Sequence, residues 1–107
     1  METETWYEKI IAAHTAVTNN VSHAERLKST RYFVWQEDGK NDLQGDNRHA
    51  ESAMTGRTDL YSKTELDPWA DAIEESFGDS GISYLLVMAE YEPETGFFHW
   101  SWDWEVV

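Results

Sequence analysis

Residues 82–107 read ISYLLVMAEYEPETGFFHWSWDWEVV and form the most regular stretch of the chain. Two apolar runs flank the segment Pro93-Glu94-Thr95-Gly96. In the second run, aromatic and β-branched side chains alternate with polar ones, a period typical of a half-buried strand. Proline early in the connection and glycine at its end favour a type I turn closed by a residue at positive φ. The stretch therefore predicts a long antiparallel hairpin, with one face formed by Phe98, Trp100, Trp102, Trp104 and Val106.

The tryptophans of this face have two interpretations. We expect Trp100, Trp102 and Trp104 to pack in the core, because large aromatic side chains bury most of their surface in folded domains. The alternative is a stacking platform for a sugar or a base. Asp103 and Glu105, on the opposite face of the strand, fit this alternative poorly for a nucleic acid, since carboxylates repel phosphates.

A helix is expected over about residues 5–18. Thr5 fits an N-cap, and Glu8, three residues later, completes a capping box. Apolar residues then recur at helical spacing, from Trp6 to Val17, so that one stripe of the helix can face a core.

Two further strands are expected in the middle of the chain. The run 31–37, RYFVWQE, is aromatic and β-branched, which predicts a strand. Residues 38–47, DGKNDLQGDN, are rich in turn-forming types and predict a loop. From about residue 49 to residue 63 the chain looks extended again, although Gly56 weakens this pattern and is a candidate for a bulge.

A second helix is expected to begin at Asp67-Pro68. Aspartate is a good N-cap, and proline is tolerated at the first helical position. Gly78 is placed to end this helix. The elements then follow the order α-β-β-α-β-β, without a repeat or a linker. The sequence therefore predicts one α+β domain over residues 1–107, with a mostly antiparallel four-stranded sheet and two helices packed on it.

The composition excludes several classes of function. The chain has 107 residues, no cysteine and a net charge of −13, so it offers neither disulfides nor thiolate chemistry. Nucleic-acid binding needs clustered basic residues, and we expect no direct sequence-specific binding to nucleic acid. The N-terminus has no signal-peptide pattern, and no apolar run reaches the roughly 20 residues that span a bilayer. We therefore expect a protein of the cytoplasm without a membrane partner.

No set of residues predicts catalysis. The histidines lack the spacing of a helical metal site, and each is expected to be a structural or surface residue. The loop beginning at Asp38 has the acids and glycines of a calcium loop, but Lys40 stands at its third position, where an oxygen ligand belongs. Pairs of carboxylates arise by chance among 21 acids, so they are a weak signal for acid–base catalysis. We expect no enzyme, no metal and no cofactor. The four histidines are His14, His23, His49 and His99.

The order of several segments resembles small tail proteins encoded in the head–tail joining region of long-tailed phages and prophages of Gram-positive bacteria. The segments are YFVWQEDG (32–39), DN (46–47), TDLYSK (58–63), GISY (81–84) and YEPETGFFHWSW (91–102). The sequence looks most like the tail terminator, also called tail completion or head–tail joining protein, over about residues 30–107. It lacks prolines just before the first strand, where Ser29-Thr30-Arg31 stand. Terminator, head-completion and other minor tail roles therefore stay open.

This resemblance implies a subunit of a ring, usually hexameric, that caps the tail tube and docks to the head connector. It implies assembly in the host bacterial cytoplasm and a final place in the tail or neck of the virion, and it brings no catalytic residues. An acidic lumen would let DNA slide without sticking. The predicted loop is long and polar, and such loops are often functional. The expected subunit or tail-tube contacts are Asp38, Asp42, Asp46, Arg57, Asp59 and Tyr61.

A different class of function is the alternative. A monomeric acidic inhibitor, or DNA mimic, could bind a basic partner through the net charge of −13. Mimicry needs carboxylates in a regular double row, spaced like phosphates, and the sequence shows no such row. An oligomer favours the ring subunit, whereas a strict monomer with a tight basic partner favours the inhibitor.

Overall fold

A computed structural model gives the fold of residues 4–41 and 53–107. In this part of the chain, two helices lie on one face of a five-stranded mixed sheet with the strand order β1-β2-β3-β5-β4. Strand β1 pairs in parallel with β2, and the other neighbours are antiparallel. The elements are α1 (Trp6–Thr15), β1 (Val21–His23), β2 (Arg31–Asn41), β3 (Ala53–Ser62), α2 (Pro68–Asp79), β4 (Ser83–Glu92) and β5 (Phe97–Val106).

The α+β class, the two helices and the C-terminal hairpin are confirmed, but the predicted four-stranded sheet has a fifth strand. Strand β1 lies in the polar segment 21–30, for which the sequence gives no clear prediction. Its three residues pair with Phe33, Val34 and Trp35 of β2. Three residues are too few to show the alternation of side chains that identifies a strand in a sequence. The conformation of so short a strand is set by pairing with its partner rather than by local sequence.

The predicted loop 38–47 begins too early. Strand β2 continues to Asn41, and its pairing with β3 shifts register between Glu37 and Gly39. The bulge expected at Gly56 therefore lies on the strand that faces it, at Asp38. Glycine is required at position 56 for a different reason: a Cβ there would lie 2.3 Å from the Trp104 ring. Residues 42–52, with the remainder of the predicted loop, lie outside the described residues.

Both helices begin as predicted. The Thr5 hydroxyl accepts a hydrogen bond from Glu8 N (3.1 Å), and the Glu8 carboxylate accepts one from Thr5 N (2.8 Å), which completes the capping box. Helix α1 ends at Thr15, a few residues before the predicted end. Asp67 caps α2 through Trp69 N (2.9 Å), and the Arg31 guanidinium contacts both of its carboxylate oxygens at 2.5 and 2.7 Å.

The C-terminus of α2 differs from the prediction by three residues. Gly78 lies inside the helix, and Gly81 adopts the positive φ of 72° that ends it. Ile82 N donates to Phe77 O (2.9 Å), and Gly81 N donates to Gly78 O (3.2 Å). These two bonds form a Schellman motif. Glycine is favoured at the position beyond a helix end, and both Gly78 and Gly81 are candidates for that position, so the sequence alone does not choose between them.

The core lies between the helices and one face of the sheet, here called the helix face. Trp102, Trp104 and Val106 of β5 are buried on it, as predicted, whereas Trp100 is only partly buried at its margin. Trp102 Nε1 donates to the Glu74 carboxylate at 2.8 Å, so α2 satisfies the polar edge of this indole. The rest of the buried cluster is Ile10, Ala13, Phe33, Trp35, Leu60, Ile73, Phe77 and Ile82.

A buried chain of hydrogen bonds crosses this core. His14 Nδ1 lies 2.7 Å from Ile10 O, and since a carbonyl only accepts, Nδ1 carries the proton. The Thr58 hydroxyl then donates to His14 Nε2 (2.9 Å) and accepts from Trp104 Nε1 (3.0 Å). This arrangement needs a neutral imidazole, and burial lowers the pKa of His14 to about 4. His14 is thus a structural residue that ties α1 to β3 and β5.

Candidate assembly surface

Strand β4 is the outer edge of the sheet and is exposed along most of its length. Among the described strands it pairs only with β5, so its other side offers unpaired backbone N–H and C=O groups. Its central side chains are apolar and in solvent, and Leu85 is 65% exposed. The large exposed apolar residues of this edge, called the β4 edge below, are Tyr84, Leu85, Leu86, Val87 and Tyr91.

A long apolar edge strand is unusual in a protein that stays monomeric. Soluble proteins normally protect such edges with short strands, charges or bulges, because an open edge is a template for another chain. Here the protection is partial. Pairing shifts register between Leu86 and Met88, and charge appears only in the second half of the strand, at Glu90 and Glu92. The first half of β4 therefore has both the hydrogen-bonding groups and the apolar side chains of an interface.

The face of the sheet opposite the helices, here called the open face, has a second and smaller core. Tyr32, Val34 and Tyr61 are buried there, with Leu27 and Phe97 packed beside them. The Arg26 guanidinium lies 4.0 Å from the centre of the Tyr61 ring and donates to the Tyr32 hydroxyl at 3.2 Å. Burial raises the pKa of the Tyr61 phenol. The segment that follows β1 thus covers one part of the open face.

A polar cluster lies next to this second core, where β3, β5 and β4 adjoin. His99 Nε2 lies 2.8 Å from Asp59 Oδ1, and its Nδ1 lies 3.2 Å from Glu92 Oε2. The His99 ring also stacks on Tyr61 at 4.3 Å. Glu90 stands opposite His99 in the register of the hairpin. One imidazole is therefore surrounded by three carboxylates on the open face.

The structure brings some of the predicted contact residues together. Asp38, Arg57 and Asp59 line one shallow depression on the open face, and Arg57 pairs with Asp103 at 3.1 Å. Tyr61 does not line this depression and is only 9% exposed, so little of its surface is accessible to a partner. The contact role of these four residues stays a prediction. Asp42 and Asp46 lie outside the described residues.

Sequence reasoning missed both the β4 edge and the polar cluster. The run Leu85-Leu86-Val87 breaks the alternation of its strand, and that break was the available signal that β4 is not an ordinary half-buried strand. Glu90 could have been placed opposite His99 by counting back across the turn. Asp59 could not, because it meets His99 through the pairing of β3 with β5, which is set by the tertiary fold.

Comparisons with known proteins show a likeness at the level of structure. No protein-family model matches the sequence, and no curated protein matches it. The fold is similar to a chain in a solved structure, the virion of a native gene transfer agent particle, with a TM-score of 0.53. The match covers 94% of this chain and 88% of that chain at 10% sequence identity. The two chains share a fold. Within the described residues, neither helix is long and apolar enough to cross a membrane.

Proposed function

We propose that this chain is a structural protein of a phage or prophage virion and acts by assembly rather than by catalysis. The observation that supports this most directly is the fold, which matches a virion chain of a gene transfer agent particle over nearly the full length of both chains. The resemblance of segments 32–39, 58–63 and 91–102 to phage tail proteins points to the same class. The two lines of support differ, since one is three-dimensional and the other is a sequence pattern.

The finer role we propose is that of a tail terminator or minor tail subunit. Such a subunit forms a ring at the head-proximal end of the tail tube and joins the tail to the head connector. The family resemblance implies a ring of the kind that usually has six subunits. Assembly would take place in the host bacterial cytoplasm, and the mature protein would lie in the tail or neck of the virion.

The β4 edge is the part of the molecule that we assign to contacts between subunits. Backbone groups of β4 would bond to a neighbouring subunit. Leu85 and Leu86 are 65% and 42% exposed, so their burial would contribute about half of the 1.5–3 kcal/mol that a fully exposed side chain gains. Ring closure needs a different patch on the neighbour, because a head-to-tail contact joins two unlike surfaces. A rigid ten-residue strand is well suited to set the angle of such a contact.

The acidic surface fits a ring through which DNA passes. Asp71, Glu75 and Asp79 lie exposed on α2, on the side away from the sheet. Carboxylates lining a lumen repel the phosphates of DNA and leave it free to slide. This role requires no sequence-specific contact with nucleic acid, in agreement with the net charge of −13.

The experiment that tests assembly through β4 uses two variants with the same change in charge. Leu85→Lys places a charge on the β4 edge, whereas Ile11→Lys places one on an exposed apolar position of α1 that is 44% exposed. A phage or prophage deleted for this gene is complemented with each variant, and tails are viewed by negative-stain electron microscopy. We expect wild type and Ile11→Lys to restore infectious titre, and Leu85→Lys to give unjoined tails.

Two outcomes would contradict the proposal. Full titre with Leu85→Lys, in a protein shown to be folded by circular dichroism, would exclude β4 as an essential interface. Normal virions in the absence of the gene would exclude a structural role in the virion. If either outcome is found, a protein that is strictly monomeric and binds a basic partner tightly would favour the alternative function, an acidic inhibitor.

A further inference from the structure

The surroundings of His99 are unusual because both of its ring nitrogens contact carboxylates. Nε2 lies 2.8 Å from Asp59 Oδ1, and Nδ1 lies 3.2 Å from Glu92 Oε2. A neutral imidazole has one N–H donor and one lone pair. Whichever tautomer forms, one nitrogen lone pair then faces an anionic oxygen, which is repulsive. A cation at one of the two nitrogens, either a second proton or a metal ion, removes that repulsion.

The geometry favours Nδ1 as the position of that cation. The shorter contact, to Asp59, is suited to a hydrogen bond from Nε2–H, which fixes the tautomer and directs the Nδ1 lone pair toward Glu92. Glu90 stands across from His99 on β4, so a second carboxylate reaches the same point. One ligand atom from each of His99, Glu90 and Glu92 lies within 4.8 Å of the others.

We propose that His99 Nδ1, Glu90 and Glu92 form a binding site for a divalent transition-metal ion on the open face. Asp59 accepts the hydrogen bond from the other ring nitrogen, and such a carboxylate orients a metal-bound histidine and raises its basicity. The site involves three adjacent strands and uses none of the residues of the acidic segment 38–47, whose spacing does not fit a calcium loop. It goes beyond the proposed virion role and does not depend on it.

The ligands are held in place by contacts of their own. The Tyr61 ring stacks on His99, and the His99 side chain is only 11% exposed, so the imidazole has little freedom to rotate. Thr95 Oγ1 donates to the other Glu92 oxygen at 3.0 Å, which directs Oε2 toward the ring. Glu90 is exposed to solvent on the neighbouring strand. Two ligands are thus preoriented, and the third can move onto a bound ion.

The ligand types select the class of metal. Calcium and magnesium take oxygen ligands, whereas zinc and its first-row neighbours bind imidazole nitrogen together with carboxylate oxygen. Three protein ligands leave at least one coordination position open to water or to a group from another molecule. Zn²⁺ is therefore the appropriate probe, with Co²⁺ as its coloured substitute.

The competing explanation is a doubly protonated His99 that bridges Asp59 and Glu92 without a metal. Zinc binding separates the two explanations. The full chain, freed of metal by a chelator, is titrated with Zn²⁺ by calorimetry at pH 7.5, and Co²⁺ is followed by its visible absorption. We expect saturable binding of one ion per chain, because the hydrogen bond from Nε2–H to Asp59 leaves the Nδ1 lone pair free for the metal.

Three variants locate the site. Glu92→Gln removes a ligand and is expected to weaken Zn²⁺ binding at least tenfold. Asp59→Asn, a change at the positioning residue, is expected to weaken it about 10–100-fold while the Co²⁺ spectrum keeps its nitrogen-ligand character. Glu94→Gln is the matched control in the adjacent turn and should bind as wild type does. Circular dichroism confirms that each variant is folded.

Clear outcomes would overturn the proposal. Wild-type protein that shows no saturable Zn²⁺ binding up to about 1 mM, a range that corresponds to only about 4 kcal/mol of binding free energy, has no such site. Equal affinities for Glu92→Gln and Glu94→Gln would place any bound ion elsewhere on the acidic surface. Neither result bears on assembly through β4.

Discussion

At the scale of single residues, Thr58 on β3 joins α1 to β5 through one hydroxyl. Thr58→Val keeps the shape of the side chain but leaves His14 Nε2 and Trp104 Nε1 without a partner in the core. An unpaired buried polar group costs about 1–3 kcal/mol, so we expect a loss in the free energy of unfolding of that order for each group. Urea denaturation measures it.

The control for this change is Thr55→Val on the same strand. Thr55 donates to Asp38 at an exposed position, and its loss should change stability by no more than about 0.5 kcal/mol. Similar losses for the two variants would show that the buried network contributes no more than a surface hydrogen bond.

His14 gives the core a dependence on pH. Burial lowers its pKa from 6.5 to about 4, so below pH 6.5 the unfolded chain binds a proton that the folded chain does not. The stability that His14 contributes is full above pH 6.5 and is lost progressively as the pH falls toward 4, by about 3 kcal/mol in total. The NMR titration of His14 measures the shift directly. An imidazole that titrates near 6.5 in the folded protein would contradict the buried neutral form.

At the scale of elements, the end of α2 offers a matched pair of glycines. A Cβ added at Gly78 or at Gly81 would meet nothing within 4 Å, so the two positions differ only in backbone conformation. Gly78→Ala should stabilise by about 0.5–1 kcal/mol, since alanine loses less entropy in a helix. Gly81→Ala should destabilise by about 1–2 kcal/mol, because φ is 72° there. Thermal unfolding decides this, and effects of the same sign would contradict the assigned helix end.

The elements that the sequence predicts well are those with a local cause. The capping box at Thr5, the Asp67 cap and the alternation of β5 each depend on neighbours within a few residues, and the structure confirms them. Strand β1 and the last residues of β2 depend on pairing with a partner strand instead. No local pattern in polar residues indicates such pairing. For this reason the sequence places the start of the loop at Asp38, although β2 continues to Asn41.

The candidate surfaces follow the same division. Residues such as Leu85 look like core residues in the sequence, because an apolar strand is normally covered on at least one face. Only the strand order places β4 at an edge, where nothing in the described residues covers it. The cluster around His99 also depends on two strand pairings at once. Tyr61 is the opposite case. The sequence predicts an accessible side chain, because no local pattern shows that Arg26, in the segment after β1, covers the Tyr61 ring.

At the scale of the whole molecule, the net charge of −13 opposes the contacts that the β4 edge favours. Like-charged subunits repel, and the repulsion is screened over about 10 Å at 0.1 M salt but over about 3 Å at 1 M. Burial of apolar side chains, in contrast, is not weakened by salt. Self-association of this protein should therefore strengthen as ionic strength rises, whereas binding of an acidic inhibitor to a basic partner would weaken.

Sedimentation velocity at low and high NaCl measures this balance. We expect wild type and Ile11→Lys to shift from small species toward a ring-sized species at high salt and at high protein concentration. Leu85→Lys should remain monomeric at both salt concentrations, although it reduces the net charge as much as Ile11→Lys does. Charge alone would make the two variants behave alike, because each adds one positive charge to the protein. A difference between them therefore isolates the β4 edge, and identical behaviour would mean that subunits associate through another surface.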